Sequence, residues 1–264
     1  MLEIQVPIEK SEAVADIIES RSIRMAFQPI YAMVTGRIFG FEALTRFESS
    51  RLTGIGELLN IAARSGQLGA LGRLQRTLAV EHAPSETLFL NVHPAEFQYP
   101  LLVQPDDPIF RHRSPVYLEI TESAPLSYFE QCTSVLLELR AKGLSLAVDD
   151  FGAGFSNIKY ILDLKPEIVK IDRQLMVDVE YGTRQFTLLE SIVTLCHDMG
   201  ANVVLEGIET ESELFVAIKA EVDYCQGYLF SKAVEDAKTR EWPSWREVLD
   251  RLRSEGPPAC ARQA

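Results

Sequence analysis

Short apolar runs alternating with helical segments constrain this fold more than any other feature. The strand-like runs are Met25–Ile30, Ile38–Leu44, Thr87–Val92, Val116–Ile120, Leu144–Asp149, Ile168–Ile171, Val203–Glu206 and a stretch around Tyr224–Tyr228. Segments with helical periodicity lie between most of them: Gly56–Ala63, Leu68–Glu81, Tyr128–Ala141, Arg184–Met199 and Ser212–Ala220, with Arg240–Leu252 as a closing helix. About eight strands alternating with helices predict one closed α/β barrel rather than an open sheet. One joint breaks the pattern. The link Ala32–Arg37 is shorter than the dozen or so residues a parallel crossover needs. The expected fold is therefore a modified (β/α)8 TIM-like barrel with an antiparallel first strand. Residues 1–22 read as a lead-in, 23–254 as the barrel and 255–264 as a disordered tail, with Tyr99–Ser114 as the longest irregular loop.

The run Leu144-Ser145-Leu146-Ala147-Val148-Asp149-Asp150-Phe151-Gly152 ends in two adjacent carboxylates. Successive strand residues face opposite ways, so both acids reach one pocket only if the chain turns there. Two neighbouring anions repel, and a divalent cation neutralises them, although a solvated Asp-Asp turn is the plainer alternative. Similar residues recur at other strand ends: Glu42, Asn91, Glu119, Glu122, Lys170, Glu206, Glu209 and Gln226. Carboxylates and an amide oxygen are hard ligands suited to Mg²⁺ or Mn²⁺. Converging at one barrel mouth, they would build a two-metal centre that activates water against a phosphodiester. Each residue also has an ordinary reading. Glu42 could pair with Arg46, Asn91 could be a turn amide, Lys170 could form a structural salt bridge, and Glu206 and Glu209 could be loop acids.

Other features exclude function classes. A net charge of −12 argues against an electrostatic grip on DNA. Cys132, Cys196, Cys225 and Cys260 form no CxxC pair, and the four histidines show no zinc-binding spacing. The N-terminus lacks a signal peptide's basic start and apolar core, and no apolar run approaches the roughly 18 residues of a membrane span. A cytoplasmic protein without direct membrane contact is expected.

The order of these motifs resembles the EAL domain family, bacterial phosphodiesterases that hydrolyse cyclic di-GMP. The resemblance runs from about Phe27 to Lys232. It rests on Phe27-Gln28-Pro29-Ile30, Phe41-Glu42-Ala43-Leu44-Thr45-Arg46, Asn91, Glu119-Ile120-Thr121-Glu122, Asp149-Asp150-Phe151-Gly152-Ala153-Gly154, Val169-Lys170-Ile171-Asp172-Arg173, Glu206-Gly207-Ile208-Glu209-Thr210 and Gln226-Gly227-Tyr228. The resemblance implies two Mg²⁺ or Mn²⁺ ions, one held by Glu42, Asn91, Glu119 and Asp149. Asp149 would bridge to the second, held by Asp150 and Glu206. Lys170 would orient or deprotonate the attacking water, and Gln226 would support the metal-bound water network. Gln28, Leu44, Arg46, Asp172 and Arg173 make up the implied substrate-binding set. Glu122 would support the ligands, and Glu209 would anchor the loop after Asp150. The implied product is linear pGpG. The implied partners are cyclic di-GMP, a second copy of the chain and a regulatory domain or protein outside it.

The sequence departs from the family's usual pattern at His93, Ala153, Phe155 and Ala233, none of them an implied ligand. Two other readings remain: a catalytically inactive EAL-type receptor for cyclic di-GMP or a protein partner, and a barrel aldolase or phosphatase with Lys170 forming a Schiff base.

Overall fold

The computed structural model describes residues 6–257 apart from 84, 99–101, 103, 122–132, 154–157, 178, 236 and 239. Strands β1 (Ile23–Ala32), β2 (Arg37–Phe47), β3 (Leu88–Asn91), β4 (Val116–Thr121), β5 (Ser145–Phe151), β6 (Ile168–Ile171), β7 (Asn202–Leu205) and β8 (Tyr224–Cys225) close into a barrel in sequence order. β1 runs antiparallel to both β2 and β8, and the remaining neighbours are parallel. The short link after β1 thus has the predicted consequence, and its cost falls on both sides of that strand.

Helices α1 (Ile8–Ser20), α2 (Ile55–Arg64), α3 (Leu68–His82), α4 (Thr133–Ala141), α5 (Lys159–Leu164), α6 (Arg184–Asp198), α7 (Glu211–Lys219) and α8 (Arg246–Glu255) accompany the strands. Two of them were not read from the sequence. α1 buries Ala13, Val14 and Ile17 against the core, a helical spacing masked by the acids around it. α5 is too short to show a period. The closing helix begins at Arg246 rather than Arg240 because Pro243 holds the preceding segment out of helical geometry. Tyr99–Ser114 holds nothing longer than a 3₁₀ turn where described, and the turn at Pro108–Arg111 is capped by Asp107. Among the described residues, no helix is long and apolar enough to cross a membrane.

The barrel interior is layered. One layer is an apolar plug of Ile30, Phe89, Ala147, Ile168 and Val204, with Phe39, Tyr117 and Tyr224 packed on it. Its rings stack, Phe39 on Tyr224 at 4.1 Å and Phe89 on Tyr117 at 4.6 Å between centroids. Side chains two apart on a strand share a face, so the next layer follows from the first. Phe89 leads to Asn91, Tyr117 to Glu119, Ala147 to Asp149, Ile168 to Lys170, Val204 to Glu206 and Tyr224 to Gln226. On the antiparallel β1, Ile30 leads back to Gln28. On β2 a bulge between Gly40 and Ile38 absorbs one residue, which puts Glu42 in the same layer. The polar ring is one pleat above the plug.

Candidate active site

Asp150 shows how two consecutive acids face one site. Between Val148 and Phe151 the β5 register slips against β6, so β5 carries one extra residue. Asp150 takes that place with φ 58°, in the left-handed region that Asp tolerates better than most residues. The turn expected at the strand's end is a bulge inside it. Asp149, Asp150 and Glu206 each offer an oxygen within 4.8 Å of the others'. At an effective dielectric of about 20, each ionised pair at that distance repels by about 3 kcal/mol. Three full negative charges do not persist there without a cation.

Lys170 occupies the centre of the ring. Its Nζ lies 2.7 Å from Glu119 Oε1, 2.7 Å from Glu206 Oε1, 3.0 Å from Asp149 Oδ1 and 3.3 Å from Glu42 Oε2. Lys170 and Glu119 are each only 1 % exposed. An ammonium has three protons, so it cannot bond four carboxylates well. Both Glu119 oxygens and Asp149 Oδ1 lie off its hydrogen-bonding directions, and Gln226 Oε1 also lacks a partner. Glu42 accepts from Gln226 Nε2 at 2.7 Å and from Asn91 Nδ2 at 3.3 Å, so its partners are Lys170 and two amides rather than Arg46.

The electrostatics follow from this crowding. Burial pushes Glu119 well above the usual carboxylate range, and Lys170 only partly offsets it. Burial also dominates at Glu206, pushed up to about 8, and at Asp150, pushed up to about 6, with Asp149's charge adding to both. At Glu42 burial is outweighed by Lys170 and by the hydrogen bonds from Gln226 and Asn91, so its carboxyl is held low. Burial favours neutral Lys170, but the charges of Asp149, Glu119, Glu206 and Glu42 outweigh it and raise the amine's pKa. Buried oxygens without hydrogen-bond partners, all of them hard donors, fit divalent cations.

Local packing fixes the other side chains. The loop after β7 lies against the turn after β8, and Ile208 N–H donates to Gln226 O at 3.1 Å. A Cβ on Gly227 would sit 2.1 Å from Ile208 O, so only glycine permits this approach. A capping box between Thr210 and Glu213 starts α7 and fixes where that loop ends.

Two cavities flank the ring, and Leu44 and Glu42 line both. One, about 310 Å³, includes Arg46, Asn91 and His93; the other, about 330 Å³, includes Gln28, Arg173, Glu206 and Gln226. Asp172 lines neither, and its carboxylate accepts Gln174 N–H at 2.8 Å. Glu209 pairs with Arg173, Oε2 lying 2.9 Å from Nη2. Glu122 and Phe155 lie outside the described residues.

A buried ionic cluster outside the expected site residues lies beside the ring. Arg76 on α3, 2 % exposed, bonds Glu96 at 2.7 Å and Asp107 at 2.9 Å. The signal was available, since Arg76 falls on the same face of α3 as Gly69, Gly72 and Ala79. Arg76→Met would leave two buried carboxylates without their cation, costing about 3–5 kcal/mol. The expected result is a Tm lower by about 10 °C, and an unchanged calorimetric Tm would refute it.

The EAL domain pattern matches residues 11–233, nearly the whole described chain. The chain belongs to the EAL family. A protein named cyclic di-GMP phosphodiesterase NbdA, from Pseudomonas aeruginosa, is 28% identical over 256 residues, covering 91% of this chain and 32% of that protein. Cyclic di-GMP phosphodiesterase RocR, from the same species, is 26% identical over 248 residues, 88% of this chain and 63% of RocR. This EAL domain therefore spans about a third of NbdA and under two thirds of RocR. Among solved structures, a calcium and cyclic di-GMP complex of Klebsiella pneumoniae BlrP1 superposes with a TM-score of 0.71 at 27% identity, covering 81% of this chain and 56% of that one.

Proposed function

We propose that this EAL domain hydrolyses one phosphodiester bond of cyclic di-GMP with water, giving linear pGpG, and uses two divalent cations, Mg²⁺ or Mn²⁺. The observation that carries the reading is the ring itself: five carboxylates around one lysine, with a cavity on either side. A two-lobed dinucleotide fits that layout, with a phosphate over the ring and a base towards each cavity. The names of NbdA and RocR and the bound ligands of BlrP1 point the same way.

In this reading Glu42, Asn91, Glu119 and Asp149 would hold one ion, and Asp149, Asp150 and Glu206 would hold the other. When bound, the ions lower a water's pKa and compensate the phosphate's charge. Lys170 Nζ, held protonated by the charges of Asp149, Glu119, Glu206 and Glu42, would orient the attacking water, and would accept its proton once those acids are neutralised. Gln226 holds Glu42 in place and keeps its free Oε1 for the water network. Arg46, whose guanidinium has no carboxylate partner among the described residues, supplies a fork suited to phosphate. Gln28, Leu44 and Arg173 complete the substrate-binding set, with Glu122 and Glu209 in support, while Asp172, expected there too, caps the turn that carries Arg173 instead of lining a cavity. Hydrolysis in oxygen-18 water is expected to place the label in the 5′-phosphate of pGpG. A label-free product would refute attack by water.

Cation binding to the folded ring stabilises it. At a concentration of about 100 times Kd the gain is about 2.7 kcal/mol, a rise in Tm of about 5–10 °C. Scanning calorimetry with Ca²⁺ or Mg²⁺ against EDTA checks this, and superimposable scans would refute it. Exposed Ile158, Leu162, Val177 and Leu188 on the elements after β5 and β6 support a homodimer. Sedimentation that shows only monomer would count against the dimer.

A further inference from the structure

The 310 Å³ cavity contains a fixed donor and a fixed acceptor that the hydrolytic scheme does not use. His93 leaves β3 two residues after Asn91 and lines the cavity. Its Nδ1 accepts the Ala95 N–H at 3.2 Å. A ring nitrogen that accepts a backbone N–H carries no proton, so the proton sits on Nε2. Nε2 has no hydrogen-bond partner among the described residues.

His93 is also held from behind. Its backbone N–H donates to Glu96 Oε1 at 3.2 Å, and the other oxygen of Glu96 accepts from Arg76 Nη1 at 2.7 Å. Arg76 in turn bonds Asp107 through Nε and Nη2, at 3.1 and 2.9 Å. A Cβ on Gly72 would lie 2.0 Å from Glu96 Oε2, so α3 comes close enough to seat the carboxylate directly. Apolar residues often stabilise as well as a buried ionic triad. What this triad provides is a fixed position for the segment that carries His93.

The acceptor comes from α3. Gln75 Nε2 donates to Thr45 Oγ1 at 2.8 Å, and that hydroxyl is directed at Met25 Sδ at 4.0 Å. The Thr45 oxygen therefore accepts, which orients the Gln75 amide and leaves its Oε1 to accept from a ligand. The rest of the cavity wall is mainly apolar, with Met25, Leu59 and Val92 among its residues, and it opens on Glu42, Asn91 and Glu119. A cavity of this size that is mostly apolar with a few convergent polar groups suits a flat heteroaromatic group. A purine edge offers both an acceptor and a donor.

We propose that His93, through Nε2–H, and Gln75, through Oε1, read the edge of one purine base of the dinucleotide. The inference rests on the phosphodiesterase reading and deepens it by assigning a base contact that the reaction itself does not require.

The test measures steady-state kinetics of wild type, His93→Ala and His93→Gln with Mn²⁺. The substrates are cyclic di-GMP and the base-free diester bis(p-nitrophenyl) phosphate. Losing one hydrogen bond to the base is expected to raise the KM for cyclic di-GMP about tenfold in His93→Ala. The kcat/KM ratio of cyclic di-GMP to the base-free diester should fall by the same factor. His93→Gln, which restores an N–H donor, should recover most of it. An unchanged KM, or an equal loss on both substrates, overturns the base contact while leaving the phosphodiesterase reading intact. If the wild type turns over neither substrate, the phosphodiesterase reading fails. Calorimetric binding of cyclic di-GMP with Ca²⁺ then decides the contact: a weaker Kd in His93→Ala supports it, and an equal Kd or no binding to wild type overturns it.

Discussion

Lys170→Ala is expected to reduce kcat for cyclic di-GMP by about 10²–10⁴-fold, the usual contribution of a positioned proton-transfer group. The variant removes an amine within 3.3 Å of four carboxylates, so no neighbour can substitute for it. The protein should still fold, because Glu119 and Glu206 can take up protons as the cation leaves; their pKa values are already raised. Calorimetry in EDTA should show a lower Tm, partly restored by Ca²⁺, since bound cations supply the lost charge. Wild-type turnover in this variant would remove Lys170 from the chemistry. A Schiff base would instead leave substrate trapped on Lys170 by borohydride, which the proposed reaction does not.

Asp149→Asn should be equally severe through a different cause. Asp149 is the acid common to both proposed ion sites, and it lies 3.0 Å from Lys170 Nζ. An amide keeps its size and one oxygen but loses the charge that both ions need. The expected outcome is near-complete loss of hydrolysis, together with loss of the cation-induced rise in Tm. Glu42→Ala should behave similarly at one ion site. Full activity in Asp149→Asn, or an undiminished rise in Tm, would refute the shared-ligand assignment.

Much of the fold was legible because the barrel repeats one physical rule. Each strand is apolar on both faces for most of its length, so it appears in the sequence as a short hydrophobic run. Each polar residue that interrupts a run near its end belongs to the ring. Glu119 between Leu118 and Ile120, and Lys170 between Val169 and Ile171, stood out because an unpaired charge inside such a run is costly. The ring's layer is Phe89-to-Asn91 arithmetic repeated around the barrel.

Other features were not local enough to read. The bulge at Asp150 depends on how β5 registers against β6, which neither run encodes alone. Arg76 is marked by its place on the buried face of α3, but its partners are not, because the two acids come from distant segments, Glu96 after β3 and Asp107 at the turn beginning with Pro108. α1 was missed because acids surround its buried stripe. The roles of His93 and Gln75 appear only when α3, β2 and the segment after β3 close around one cavity.

Hydrolysis is decided by incubating the protein with cyclic di-GMP and Mg²⁺ or Mn²⁺, against the same mixture in excess EDTA, with chromatographic detection of pGpG. Metal-dependent hydrolysis gives pGpG in the presence of the ions and none with the chelator. Undiminished pGpG in EDTA, or tight binding of cyclic di-GMP with no pGpG under any ion, would contradict it.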